Sequence, residues 1–333
     1  MQAVRLHATQ DLRVETIPAP PPPEANEVTL AVTAAGICGS DLHNYRTGAW
    51  ITRAPSVAGH EFTGIVTAVG EGVSHVATGQ RVIVDSRHTC GICPACREGL
   101  GQVCESLGFI GEVIDGGFAE AVTLPARNVI PAPDGVPDRH LAMAEPLAVA
   151  LHALRRLSAH EGKDVLVSGC GPIGALVALL ASRGGHPVLL VEQNAARAEQ
   201  VAAATGAQVI GLDGLSERRV RFAVETTGSE AVLSALIGGI TGSGSIALVG
   251  IGRSMPAIDP LMLVERELSL IGCHAFTEAD LHDVADGLPG LSGLLDPFIA
   301  QQITLADVPD AYERHLAGEV AGQKTIIRCG GTA

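Results

Sequence analysis

The sequence predicts an α/β protein in two parts, a β-rich first domain followed by a doubly wound parallel sheet. Three observations carry this expectation. A length of 333 residues has room for two cores rather than one. In the first part, short β-branched runs such as EVTLAVTAAG and FTGIVTAVGEGV are punctuated by Gly and Pro, which reads as strands and turns. From Leu147 the texture changes, and strand-like and helix-like segments alternate.

In chain order, APPPPE (Ala19 to Glu24) reads as a stiff connector between two strands. ICGSDLH (Ile37 to His43) reads as a polar stretch interrupting apolar strand. AVALHALRRL has helical spacing, and EGKDVLVSGCGPIGALVALLASRGGHPVLLVEQ then reads strand, Gly-rich turn, helix, strand. RFAVETTG, EAVLSALIGGI, SIALVGIG and ELSLIGCHAF continue the alternation expected of a parallel sheet covered on both faces. The closing segment, with ITLADVPDAYERHLAG and KTIIRC, either forms a further unit or returns to the first domain.

Composition narrows the function. Hydrophobic residues are 47% and charged residues 17%, the balance of a well-packed globular chain. A net charge of −14 leaves no basic stripe to neutralise phosphates, so no nucleic-acid partner is expected. No apolar run approaches the ~20 residues that span a bilayer, so no membrane partner is expected. MQAVRLHATQ lacks the charged-then-apolar design of an export signal. A cytoplasmic location is therefore expected, with the eight cysteines as metal ligands or free thiols rather than disulfides. Only two lysines, Lys163 and Lys324, and two tyrosines, Tyr45 and Tyr312, occur. A Schiff-base lysine or a Tyr-x-x-x-Lys pair has almost nowhere to be. Acid–base chemistry falls to His, Glu, Asp, Ser or a metal.

Gly169-Cys170-Gly171-Pro172-Ile173-Gly174 fits G-x-G-x-x-G, with the apolar strand VLVSG before it and ALVALLA after it. Gly169 permits the tight turn, Gly171 lets backbone approach a pyrophosphate, and Gly174 allows close helix–strand contact. The helix start beginning at Pro172 and Ile173 supplies donors and positive dipole to the phosphates. Glu192 ends the next strand close to the ~20-residue offset of a ribose-binding carboxylate. A carboxylate there favours NAD over NADP, although Arg197 nearby is able to meet a phosphate.

Cys90, Cys93, Cys96 and Cys104 give C-x2-C-x2-C-x7-C within a lobe of residues 88–106. Four thiolates at this spacing suit one closed tetrahedral zinc, a structural site; iron–sulfur spacing usually places its fourth cysteine differently. Cys170, Cys273 and Cys329 read as small buried hydrophobes. Cys38 differs in its company, because His60-Glu61 follow and Glu145 stands isolated in LAMAEPLAVALHAL. A thiolate, an imidazole and carboxylates make a zinc set that leaves a position for substrate.

ICGSDLH, GHEFTGIVTAVGEGV, the four-cysteine lobe and GCGPIG, in this order, resemble the zinc-dependent medium-chain dehydrogenases, essentially end to end. AEPLAVALHA, with Glu145 before the proline, is similar to the polyol branch of sorbitol, L-idonate and butanediol dehydrogenases. LGFIG and GGFAEAVTLPA, around Phe109 and Phe118, look most like the butanediol group. The resemblance implies a GroES-like catalytic domain of residues 1–149 and 275–333, a Rossmann domain of residues 150–274, and an active site in the cleft between them. It implies two zinc ions per chain, the catalytic one on Cys38, His60 and Glu61, with Glu145 either a fourth ligand or a partner of the metal-bound water.

The same resemblance makes Asp41 the carboxylate that orients a zinc-ligating histidine. Ser40 takes the substrate hydroxyl proton and His43 relays it, while Glu192 and Arg197 match adenosine-ribose positions. The implied activity is NAD-dependent interconversion of a secondary alcohol and its ketone, in a homodimer or homotetramer. Two departures bear on the substrate: Ala275 stands where many polyol dehydrogenases carry an arginine, and Asn44 replaces a tyrosine. The missing arginine weakens the case for a long polyhydroxylated sugar alcohol and makes a smaller vicinal diol, a cyclitol or another secondary alcohol an equal candidate. The alternatives are a biosynthetic cyclitol or amino-sugar dehydrogenase, and a catalytically silent NAD-binding protein.

Overall fold

The strand Glu27–Gly36 buries Val28, Leu30, Val32 and Ala34, every second residue, because strand side chains alternate between faces. It is the organising strand of the first unit in this computed structural model, which describes residues 1–252 and 257–330, the side chain of Ser216 excepted. Along one sheet the order runs Val129–Pro131, Arg81–Val84, Glu61–Val69, Glu27–Gly36, Lys324–Arg328, Ile299–Thr304, with Ala121–Pro125 also paired to Glu27–Gly36. A smaller sheet places Asp11–Thr16, Gln2–Ala8 and Ser56–Val57 side by side. The APPPPE segment joins Asp11–Thr16 to Glu27–Gly36 and carries no regular structure. Val4, Leu30, Phe62, Val66, Phe118 and Tyr312 are among the buried residues of this core. Each fully buried aliphatic or phenyl side chain contributes about 1.5–3 kcal/mol relative to exposure.

The closing segment returns to this sheet. Ile299–Thr304 runs parallel to Lys324–Arg328 through the helix Val308–Leu316, and Lys324–Arg328 pairs antiparallel with Glu27–Gly36. The chain thus divides into two compact units, Met1–Glu145 with Thr277–Ala333, and Pro146–Phe276, residues 331–333 lying outside the described part.

In the second unit all six strands are parallel, in the order Gln208–Val209, Val188–Val191, Val165–Ser168, Phe222–Glu225, Ser245–Leu248, Ser269–Gly272. Numbered along the chain this is 3-2-1-4-5-6, the dinucleotide-binding order, whose direction of winding reverses beside the first strand. Val165–Ser168, Val188–Val191 and Phe222–Glu225 are buried throughout, as strands covered on both faces must be. Among the described residues, no helix is long and apolar enough to cross a membrane.

At the reversal point the Gly-rich turn leads into the helix Pro172–Arg183, with Pro at its first turn where no N–H is needed. Gly169 has φ +90°, and a Cβ there would lie 2.8 Å from Thr226 Oγ1. A Cβ on Gly174 would fall 1.9 Å from the Gly169 carbonyl oxygen, so helix and turn approach too closely for any side chain. Gly174→Ala is expected to destabilise the second unit by about 1–3 kcal/mol through overpacking. Chemical denaturation of the variant checks this, and an unchanged midpoint would contradict the close approach.

Candidate functional site

ICGSDLH is the start of a helix rather than a gap in a strand. The helix Gly39–Thr47 has Cys38 at its N-cap and Asp41 in its first turn, and it ends at Gly48 in the left-handed region. Asp41 Oδ2 accepts the backbone N–H of Cys38 at 2.9 Å, satisfying one of the donors a helix start leaves open. Its other oxygen, Oδ1, lies 3.2 Å from His60 Nδ1. One carboxylate therefore fixes the cysteine backbone and the histidine ring together.

With Nδ1 engaged by Asp41, Nε2 is the nitrogen left for other chemistry, and Ser40 Oγ lies 3.4 Å from it. Cys38, His60 and Glu61 bring one donor atom each within 4.8 Å of one another. His60 and Glu61 are buried. Burial opposes a charged His60, yet the charges of Asp41 and Cys38 outweigh it and hold the imidazole well above its usual pKa. The negative groups beside the ring, Asp41 and Cys38, also suit a metal cation. Oε1 of Glu61 has no hydrogen-bond partner. Thiolate, imidazole and carboxylate are the donors zinc takes when a position is kept open. The residues present fit that ion.

Glu145 stands apart from the three-donor group. It is in the first turn of the helix Ala144–Leu157, and Oε1 accepts the Ser86 hydroxyl at 2.9 Å. Burial pushes its pKa up to about 7, partly offset by the charge of His60. His43 lies one turn after Cys38, its ring centroid 4.8 Å from that of Trp50. The neighbouring Asn44 is buried, and its Oδ1 accepts the backbone N–H of Trp50 at 2.8 Å. The residue that replaces a tyrosine thus anchors the loop that brings the indole to His43.

Three further groups were not singled out from sequence as site residues. Ser86 holds Glu145 as above. Glu112 is half-buried, and burial pushes its pKa up to about 7, with the charge of His60 opposing. Lys324 is buried and ion-paired to Glu61. A cation inside the apolar strand KTIIRC was the available signal for Lys324; Ser86 and Glu112 carried none.

In the lobe, Cys90–Cys96, Cys93–Cys104 and Cys104–Cys90 have Sγ···Sγ separations of 4.0, 3.9 and 3.5 Å. These are far too long for disulfides, and close to the ~3.8 Å edge of a tetrahedron with ~2.3 Å Zn–S bonds. Backbone N–H groups of Cys90 and Ser106 point at Cys104 Sγ, and that of Cys93 at Cys90 Sγ. Such donors hold Cys90, Cys93 and Cys104 below the usual thiol pKa, whereas burial pushes Cys96 up to about 12. The set suits a closed zinc site without room for a substrate.

In the second unit, a Cβ on Gly171 would meet nothing within 4 Å, so backbone is open to a ligand there. Glu192 accepts the backbone N–H of Cys170 at 2.7 Å and that of Asn194 at 2.8 Å, which ties the strand end to the Gly-rich turn. The backbone N–H of Arg197 bonds Asn194 Oδ1, and its Nε is buried without a partner.

A parallel sheet of this order with a glycine turn, together with a three-donor metal group and a four-cysteine lobe, defines a zinc- and nicotinamide-dependent dehydrogenase. Residues 24–134 match the alcohol dehydrogenase GroES-like domain. The chain is 33% identical over 318 residues to 2-dehydro-3-deoxy-L-galactonate 5-dehydrogenase of Pseudoalteromonas atlantica, covering 92% of this chain and 93% of that protein. The structure of 2R,3R-butanediol dehydrogenase from Bacillus subtilis matches with a TM-score of 0.90 and 30% identity over 98% of this chain and 99% of that one. The alcohol dehydrogenase rspB of Escherichia coli CFT073, complexed with NADH, matches at 0.89 with 28% identity over 98% and 99%. The protein belongs to the zinc-dependent medium-chain dehydrogenases, and within them to the polyol and sugar-acid branch.

Cys104→Ser removes one of four thiolates from the lobe. Zinc per chain, counted by emission spectroscopy, is expected to fall from two to one, and retention of both ions would contradict the closed-site reading.

Proposed function

We propose that this enzyme oxidises a small uncharged secondary alcohol, a vicinal diol or short polyol, to its ketone with NAD. The observation that carries the reading is the grouping of Cys38, His60 and Glu61 around the Asp41 carboxylate, with the Ser40 hydroxyl beside His60 Nε2. Cys38, His60 and Glu61 hold the catalytic zinc, and Cys90, Cys93, Cys96 and Cys104 the structural one. When bound, zinc supplies a Lewis acid for the alcohol oxygen and NAD supplies the hydride acceptor.

The chain supplies position and proton transfer. Asp41 keeps His60 in the orientation that frees Nε2. Ser40 accepts the substrate hydroxyl proton, and His43, its ring set against Trp50, carries it onward. Glu145, hydrogen-bonded to Ser86 and outside the three-donor group, acts through a water. Ser40→Ala is expected to lower kcat by about 10²–10⁴-fold with both zinc ions retained. Loss of zinc, or near-normal turnover, in that variant would refute the relay.

Asp41, Glu61, Glu112 and Glu145 give the neighbourhood of His60 an acidic lining, and Lys324 is committed to Glu61. Lys324 is thus not offered to a substrate carboxylate, which favours diols over sugar acids. NADH formation over a panel of diols, hexitols, cyclitols and sugar acids tests this. Highest kcat/KM on a diol is expected, and a preference for a sugar acid would overturn the substrate reading. Glu192 disfavours a 2′-phosphate, so NAD is expected to be reduced faster than NADP. The reverse preference would instead give Arg197 the leading role.

A homodimer or homotetramer fits the second unit, where Ser269–Gly272 ends the sheet and the helix Pro260–Arg266 leaves Leu261 and Val264 61% and 73% exposed. Eight free cysteines suit the reducing cytoplasm.

A further inference from the structure

We propose that Lys324 is a positioning residue of the metal centre, holding Glu61 Oε2 so that only Oε1 is offered to the ion. The inference rests on the zinc reading above and adds to it a residue from the closing segment of the chain. Lys324 Nζ pairs with Glu61 Oε2, and the two side chains are 2% and 0% exposed. Neither carboxylate oxygen accepts a hydrogen bond, and the ion pair with Lys324 falls on Oε2, so the carboxylate is divided between an oxygen claimed by charge and an unclaimed one.

The sheet is built around this pair. Gly36 stands opposite Glu61 on one side and Ile326 on the other, which places it between the glutamate strand and the lysine strand. A Cβ on Gly36 would lie 2.4 Å from Glu61 Oε2 and 2.9 Å from Lys324 Cε. Glycine therefore keeps open the space in which the ion pair forms. Stability alone is a poor reason for such a pair, because desolvating two charges costs about as much as their attraction returns.

Control of the carboxylate is a better one. A catalytic zinc must keep a position for substrate, and a glutamate giving both oxygens would occupy it. Lys324 prevents that, and its charge offsets part of the negative charge of Cys38 and Glu61.

The test compares Lys324→Met with Lys324→Arg, reading zinc transfer to a chromogenic chelator and the visible spectrum of the cobalt-substituted protein. In Lys324→Met both oxygens are free, so release of the non-lobe zinc slows and the cobalt absorption weakens as coordination rises, whereas loss of an ordinary supporting partner weakens the metal's hold by about 10–100-fold. In Lys324→Arg the guanidinium fork claims both oxygens, so release of the same ion quickens. A merely structural lysine gives faster release with Met and wild-type release with Arg, and that outcome overturns the proposal. Should Lys324→Met fail to fold, the Arg variant decides alone by faster or unchanged release. If wild-type protein carries zinc in the lobe only, the zinc reading itself fails, which separates that failure from failure of the lysine role.

Discussion

The Asp41 carboxylate is the contact on which the catalytic region depends. One oxygen satisfies the exposed N–H of Cys38 and so starts the helix Gly39–Thr47; the other meets His60 Nδ1. The two jobs are linked, because the same rotation that caps the helix sets the imidazole. The carboxylate adds a side-chain link to the strand pairing of Gly36 with Glu61 that already brings Cys38 and His60 side by side. Ser40 and His43 ride on the helix that Asp41 begins, so the groups proposed to handle the proton inherit the same registration.

Glu61 shows the opposite arrangement, in which a long-range ion pair holds a proposed ligand. Its strand lies beside Glu27–Gly36, which in turn lies beside Lys324–Arg328, and Gly36 leaves the gap that lets Lys324 reach across. The lobe needs neither device. Its four thiolates lie close together in sequence, and backbone N–H groups turned toward Cys90 and Cys104 supply local stabilisation. A closed site can be assembled from one short segment, whereas a site with a free position draws on distant strands that hold each ligand back.

Much of this was legible in the residues. The second unit could be read because its strands are buried on both faces and appear as continuous apolar runs, and because GCGPIG forms a turn that requires glycine at Gly169 and Gly174. The lobe was legible from cysteine spacing alone. ICGSDLH received its proposed chemistry through its resemblance to known dehydrogenases and was misread as structure, being a helix start. Its apolar content is too low to show a helical stripe, and its helix is held by a cap and by tertiary contacts instead.

Spacing alone left open where the closing segment goes, since strand pairing across most of the chain leaves no local periodicity, and only the resemblance assigned it to the first domain. Lys324 was for that reason given no place at the site. The Ser86 contact of Glu145 was hidden in the same way.

The central claim is that Cys38, His60 and Glu61 form a metal centre separate from the lobe. Anomalous diffraction at the zinc edge from crystals of the purified enzyme tests it most directly. Two peaks per chain are expected, one among the four lobe sulfurs and one beside Cys38 Sγ and His60 Nε2. A single peak in the lobe, in protein that still reduces NAD with its alcohol, would contradict the account.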